Sequence, residues 1–313
     1  MTIEQKFIDQ FVNVTSKAAV ASYSYVGKKD KIAADKAAVD SIRNNLNKLN
    51  IKGKIVIGEG ELDEAPMLYI GEKVGTTNGP EIDIAVDPLE GTNFAANNLP
   101  GALSVIAIAE KNNLFHAPET YMEKISAKVN EKGVVDLDYS TRENIFNLCE
   151  YLNKKPESIT ACVMDRPRHK DIIDELNILG VKIKLITDGD VSGALLVSDD
   201  KYGVDIFLGI GGGPEGVLAS AALDTFECSF QGRFLFHTEE DKRRANKMGI
   251  TNLSKKYELD EIVKGDSIFC ATGITSGDLV SGIITENNKF ITETLVTHKS
   301  TGLKKIIKKV VNR

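Results

Sequence analysis

The chain has 313 residues, with 39 Lys and Arg against 45 Asp and Glu and a formal net charge of -6 at pH 7. That acidic balance excludes a broad phosphate-neutralising surface for nucleic acid or an anionic membrane. The length calls for one large or two intimately packed domains, and no apolar run approaches the roughly 20 residues of a membrane span.

In chain order, Ile3, Phe7, Phe11 and Val12 recur at helical spacing, and Ile32, Val39, Ile42, Leu46 and Leu49 do so again, predicting two helices in the first fifty residues. Asp35 falls on or near the start of the second, followed by the small residues Ala37 and Ala38. Residues 54–57 form a short strand ended by Gly58-Glu59-Gly60-Glu61, where carboxylates between glycines suggest a functional rim. A strand over 81–86 precedes Asp87-Pro88-Leu89-Glu90-Gly91-Thr92, and 103–109 is apolar enough to be a buried central strand. Residues 134–139 are expected to pair with an antiparallel neighbour, and 142–152 to form a helix. From about 157 the pattern becomes βαβα: strands at 158–164, 181–186 and 204–208 alternate with helices at 169–179, near 191–198 and from 214, implying a parallel, doubly wound sheet. The basic run Lys304-Lys305-Ile306-Ile307-Lys308-Lys309 fits a solvated helix face.

The opening Met1-Thr2-Ile3-Glu4-Gln5-Lys6 has no signal-peptide pattern, so a cytoplasmic protein is expected. Cys149, Cys162, Cys228 and Cys270 lack CxxC spacing and sit mostly among apolar neighbours, which suits buried thiols rather than zinc or disulfides. His116, His169, His237 and His298 form no HxxxH or HxH pair, so neither zinc hydrolysis nor a Ser-His-Asp triad is suggested. His169 alone lies near a candidate site, where helix capping and substrate contact are equally acceptable roles.

The hexapeptide at 87–92 concentrates two carboxylates, a stiffening proline, a permissive glycine and a hydroxyl. Ordinary turn and helix-cap use is the competing explanation. Asp35, Glu59 and Glu215 also sit in contexts suited to ligands, and hard divalent cations are held by scattered carboxylate oxygens. At the ends of the later strands lie Asp165-Arg166-Pro167-Arg168-His169, Asp188-Gly189-Asp190 and Gly209-Ile210-Gly211-Gly212-Gly213-Pro214-Glu215-Gly216. Arg166 and Arg168 suit a phosphate and Asp188 and Asp190 suit hydroxyls, although paired arginines also serve surface ion pairs. The glycine run formally satisfies GxGxxG, so a nicotinamide-dependent oxidoreductase is a rival reading. Against it, Glu215 would stand where pyrophosphate should bind, and the motif comes late in the chain.

These residues resemble a known family. The Asp-Pro-(Leu/Ile)-(Asp/Glu)-Gly-Thr motif is shared with the lithium-sensitive phosphatase superfamily, which includes inositol monophosphatases and fructose-1,6-bisphosphatases. The stretch Ile57-Gly58-Glu59-Gly60-Glu61-Leu62-Asp63-Glu64-Ala65-Pro66-Met67-Leu68-Tyr69-Ile70-Gly71-Glu72-Lys73-Val74-Gly75 is similar to the bacterial class II fructose-1,6-bisphosphatases. So are Ala117-Pro118-Glu119-Thr120-Tyr121-Met122-Glu123-Lys124, Arg166-Pro167-Arg168-His169, Asp188-Gly189-Asp190, 209–216 and Ala271-Thr272-Gly273-Ile274-Thr275. Residues 93–100 and Gly213, where Ala is frequent, depart from the family pattern.

The resemblance implies a layered α-β-α-β-α sandwich of the sugar phosphatase type. It would comprise an N-terminal metal-binding α+β domain over 1–156, a C-terminal α/β substrate domain over 157–278 and a segment, 279–313, packing back on the core. It implies divalent-metal positions at Asp35, Glu59, Asp87, Glu90 and Glu215, filled by two or more Mn²⁺ or Mg²⁺. Substrate positions are implied at Glu90, Gly91, Thr92, Tyr121, Arg166, Pro167, Arg168, Asp188, Gly189, Asp190 and Gly212. Catalytic roles fall to Thr92, Glu59 and Asp87, with Thr92 either steering the attacking water or itself attacking. The implied reaction is hydrolysis of the 1-phosphate of fructose 1,6-bisphosphate, in gluconeogenesis, by a homo-oligomer, dimeric or tetrameric. Sedoheptulose 1,7-bisphosphate is a close alternative substrate, and a non-catalytic sugar-phosphate-binding protein is a third reading.

Overall fold

The computed structural model describes residues 3–59 and 67–312. The chain begins with α1 (Lys6–Tyr23), α2 (Lys31–Leu46), β1 (Lys52–Ile57), β2 (Lys73–Val74), β3 (Glu81–Glu90), α3 (Thr92–Asn97) and β4 (Leu103–Glu110). It continues through β5 (Tyr121–Ala127), α4 (Thr141–Leu152), β6 (Thr160–Met164), α5 (Lys170–Ile178), β7 (Lys182–Ile186), α6 (Asp190–Leu195) and β8 (Ile206–Gly212). Then come α7 (Gly213–Phe226), β9 (Ser229–Leu235), α8 (Glu239–Lys247), β10 (Lys256–Glu258) and α9 (Leu259–Ile262). It ends with β11 (Ser267–Gly273), β12 (Ile284–Glu286), β13 (Lys289–His298) and β14 (Leu303–Asn312). Two compact units result, one of residues 1–116 with 263–313 and one of 117–262.

The first unit is an eight-stranded sheet in the order β12-β13-β11-β4-β3-β1-β2, with β14 on β13. Helix α1 presents Phe7, Phe11, Val14 and Ala18 at helical spacing and packs on β4, β11 and β13. Buried hydroxyls on this face satisfy one another: Thr272 Oγ1 bonds the hydroxyls of Thr15 and Thr294, both at 2.7 Å. Asp30 caps α2 by accepting from the Ala33 N–H at 2.9 Å. The buried stripe of α2 starts at Ala34 and runs through Ala38, Val39, Ile42 and Leu46. Ile32, expected on that stripe, is 82% exposed, because the small Ala34 faces α1, where its carbonyl accepts from Ser22 Oγ at 2.6 Å.

Strand β3 does not stop before the hexapeptide but runs on to Glu90. Asp87 lies opposite Val105 and Glu90 opposite Leu103, so β3 uses three steps where β4 uses two. That bulge accommodates Pro88, which has no N–H to give the ladder. The expected buried strand at 103–109 is β4, paired antiparallel with β3 and β11.

The second unit is a six-stranded sheet in the order β10-β9-β5-β8-β6-β7. Strands β7, β6 and β8 are parallel and joined through α5 and α6, the doubly wound half that the βαβα pattern predicted. Strand β5 is antiparallel to both β8 and β9, and Ile125 joins Ile145, Leu148, Val163, Ile206 and Leu208 in a common core. Residues 134–139 form turns, not a strand: Asn144 bonds the backbone at Asp136 and Tyr139, fixing a connection into α4. Ser140 and Glu143 close a capping box there.

Two further expectations differ from the structure. The basic run at 304–309 is strand β14, not a helix, paired with β13 from Lys289 opposite Asn312 to His298 opposite Leu303. The division near 156 and 278 also moves, because β5 pairs with β8 and β9, and β11 pairs with β4. Both sheets are flanked by helices, and the fold class is α/β.

Candidate active site

In the first unit β1 and β3 are parallel, with Ile57 opposite Ala85. Glu59 and Asp87 therefore each lie two residues beyond paired positions, at the same end of the sheet. Glu90 ends β3, Thr92 opens α3, and Asp35 sits on α2, which packs against both elements. Glu90 is buried; Asp35, Glu59, Asp87 and Thr92 are half-buried. Between Glu90 and Thr92, Gly91 has φ +75°, and a Cβ there would meet the Phe94 ring at 2.7 Å, so only glycine makes this corner without strain. Helix α3, which follows this corner, has six residues.

The Glu59 segment is fastened by residues that the sequence pattern did not single out. Its N–H donates to the Leu68 carbonyl at 2.9 Å, the Leu68 N–H donates to the Glu72 carboxylate, and Glu72 also accepts from Arg43 Nε at 2.5 Å. A buried Glu with an Arg partner on α2 thus ties the far side of this loop to the helix carrying Asp35. Gly60 and Glu61, counted in the expected rim, lie outside the described residues.

Burial pushes the Asp35 carboxyl up to about 6. Among the described residues, no three His, Cys, Asp or Glu side chains close on a common point in a cation-binding arrangement. Asp35, Glu59, Asp87 and Glu90 are instead carried by mutually packed elements of one unit. Their chemistry fits a hard divalent cation: all offer carboxylate oxygen, with neither the thiolate nor the imidazole that zinc or copper favours.

In the second unit, Tyr121 begins β5 opposite Gly212 at the end of β8, and Glu215 lies in the first turn of α7. Arg166 and Arg168 flank Pro167 after β6, and Asp188, Gly189 and Asp190 join β7 to α6. Arg168 Nε donates to the Ile210 carbonyl at 2.9 Å, and its guanidinium carbon stands 4.9 Å from the centre of the Tyr121 ring. The same ring also meets His237, edge-on, with centroids 6.2 Å apart. His169 is fully buried: its Nε2 accepts from the Ile210 N–H at 2.7 Å and its Nδ1 donates to the Met164 carbonyl at 2.7 Å. Its side chain therefore binds the Arg166–Arg168 turn to β8, and although His169 stands at the N-cap position of α5 it makes no side-chain cap bond there.

Glu215 Oε2 and Asp190 Oδ1 are buried without a hydrogen-bond partner among the described residues. Burial, and then the nearby charges of Asp190 and Asp188, raise the Glu215 pKa, against a lowering influence from Lys124. The glycine run makes room for these carboxylates: a Cβ on Gly211 would meet Asp190 Oδ2 at 1.8 Å, and one on Gly212 would meet Glu215 Oε2 at 1.9 Å. Space that a dinucleotide pyrophosphate would need at a GxGxxG turn is thus filled by acidic side chains, which argues against the oxidoreductase reading. Lys124, also overlooked, is buried and paired with Asp190. A lysine within an otherwise half-apolar strand is the signal that could have found it, since lysines are seldom fully buried unless paired.

An α/β chain with carboxylates and arginines at its strand ends has the donor set of a metal-assisted phosphatase. The chain belongs to the family described as bacterial fructose-1,6-bisphosphatase, glpX-encoded, whose model matches residues 5–311. It is 41% identical over 312 residues to the D-fructose 1,6-bisphosphatase class 2/sedoheptulose 1,7-bisphosphatase of Synechococcus sp. (strain JA-3-3Ab), covering 92% of this chain and 90% of that one. To the protein of the same name from Prochlorococcus marinus (strain MIT 9301) it is 42% identical over 308 residues, covering 94% and 92%. Among the described residues, no helix is long and apolar enough to cross a membrane.

Proposed function

We propose that this chain hydrolyses the 1-phosphate of D-fructose 1,6-bisphosphate, giving fructose 6-phosphate and inorganic phosphate, and accepts sedoheptulose 1,7-bisphosphate in the same way. The observation that carries this reading is the family match over nearly the whole chain, with relatives whose names contain both activities. Asp35, Glu59, Asp87, Glu90 and Glu215 would hold two or more divalent cations, Mn²⁺ or Mg²⁺. When bound, such ions polarise the phosphoryl oxygens and lower the pKa of a water.

The remaining work falls to the chain itself. Thr92, fixed at the corner after Gly91, offers a hydroxyl to orient the attacking water or to attack in its place. Arg166 and Arg168 clamp the remote phosphate, with Arg168 already held by Ile210 and Tyr121, so that little rotamer freedom is lost on binding. Asp188, Gly189 and Asp190 receive sugar hydroxyls, and Gly212 lets the ligand approach the backbone. The same reading makes the protein a cytoplasmic homo-oligomer. Phosphate release from both bisphosphates, measured after chelation and again after adding Mn²⁺ or Mg²⁺, tests it. Cation-dependent release is expected, and release that survives chelation undiminished, or none at all, would overturn it.

A further inference from the structure

Strand β5 alternates across its sheet, so Met122, Lys124 and Ser126 share one face. That face meets α6 and α7: Ser126 Oγ donates to the Ala194 carbonyl at 3.0 Å, and a Cβ on Gly216 would meet Met122 Sδ at 2.6 Å and Lys124 Cε at 3.4 Å. Lys124 is 1% exposed and forms an ion pair with Oδ2 of Asp190, itself 8% exposed at the start of α6.

A buried ion pair is a poor stabiliser, because desolvating two charges offsets most of their attraction; apolar side chains of like volume often do as well or better. A methionine beside Met122 would satisfy packing on this face. The pair therefore calls for another explanation, and its geometry supplies one. Lys124 engages only Oδ2 of Asp190, and the absent side chain of Gly211 leaves the carboxylate space to stay there. The second oxygen, Oδ1, is buried and makes no hydrogen bond among the described residues. One oxygen is anchored by a cation and the other is left as an acceptor of fixed position.

We propose that Lys124 is a positioning residue for substrate: it locks the Asp190 carboxylate by one oxygen so that the other meets a sugar hydroxyl. This rests on the assignment of Asp190 to the sugar under the proposed function. Lys124 touches neither the sugar nor the phosphates. Its positive charge opposes a cation at Glu215, so its loss is not expected to weaken cation binding.

Calorimetric titration of the 313-residue chain with fructose 6-phosphate, and separately with Mn²⁺, tests the proposal. Lys124→Met should weaken fructose 6-phosphate binding by about tenfold or more, as for truncating one partner of a buried hydrogen-bonded pair, and leave the Mn²⁺ affinity within about threefold of the unsubstituted protein. Sugar affinity unchanged in a folded Lys124→Met protein overturns the proposal, as does an equal loss of both affinities, which would mean general collapse of the site. If Lys124→Met does not fold, Lys124→Met/Asp190→Asn removes both buried charges together. It should then fold and bind fructose 6-phosphate as Asp190→Asn alone does, and a further tenfold loss in the double variant would overturn the inference. Absence of phosphate release by the unsubstituted protein would refute the proposed reaction while leaving these binding outcomes readable.

Discussion

Arg168 donates from Nε to the carbonyl oxygen of Ile210, forty-two positions away in sequence and 2.9 Å away in space. Among the described residues the bond leaves both terminal nitrogens of the guanidinium open to an anion, and the Tyr121 ring stands 4.9 Å from the guanidinium carbon. Arg168→Ala should therefore raise KM for fructose 1,6-bisphosphate about tenfold, roughly the cost of one charge-assisted hydrogen bond, with a smaller rise for a monophosphate lacking the remote group. Steady-state kinetics on both substrates check this, and equal increases would rule out a remote clamp.

His169 confers acid sensitivity on the same region. Its Nε2 accepts a backbone proton and its Nδ1 donates one, so the native ring is neutral, and burial lowers its pKa below the ordinary 6.5. As pH falls through about 6.5 the unfolded chain takes up a proton that the native chain refuses. The His169 contribution is present above that pH and is lost below it, with a slope of up to about 1.4 kcal/mol per pH unit. Urea midpoints between pH 7.5 and 5.5 should fall less steeply for His169→Gln than for the unsubstituted protein. Parallel pH profiles would count against this account.

Thr92 opens α3 immediately after a corner that demands glycine. Thr92→Ala should lower kcat by ~100-fold or more, as loss of a positioned catalytic group does, with an unchanged unfolding midpoint. Near-normal turnover would remove the hydroxyl from the mechanism.

Glu59→Gln keeps the volume of the side chain and its backbone bond to Leu68, and removes only charge. Its Mn²⁺ affinity should fall about tenfold or more. Calorimetry reads this directly, and an unaltered titration would exclude Glu59 as a ligand.

What the sequence disclosed followed from pattern. Apolar runs marked β4, β6 and β8, because strands buried on both faces have no polar alternation to obscure them, whereas β7, whose residues are exposed or half-buried, was marked by its place in the βαβα rhythm. Strand β5 was missed since Tyr121, Glu123, Lys124 and Ser126 make it look polar, whereas three of its polar positions, Tyr121 excepted, lie wholly or partly inside. The end of β3 was hidden by Pro88, which ordinarily ends a strand and here occupies a bulge. In β14, Ile306-Ile307 and Val310-Val311 recur every four residues and imitate a helix, while their β-branched side chains favour the strand that forms. At the site, residue types revealed the candidate ligands and clamps. The fastenings were not legible: Ile210 acts through its backbone, and Arg43 and Glu72 lie 29 positions apart, contacts that no local spacing encodes.

The two stretches of the first unit also have a bearing on synthesis. Strand β4 finds β3 as soon as it is made, but its other neighbour, β11, begins at Ser267, after the whole of the second unit. Leu114 and Val263 bridge one another where the chain leaves the first unit and returns to it. On a ribosome the inserted unit emerges complete while the host sheet still has an open central edge. The later strands must then close that edge, so the nascent chain depends most on protection against strand-to-strand aggregation just before β11 appears.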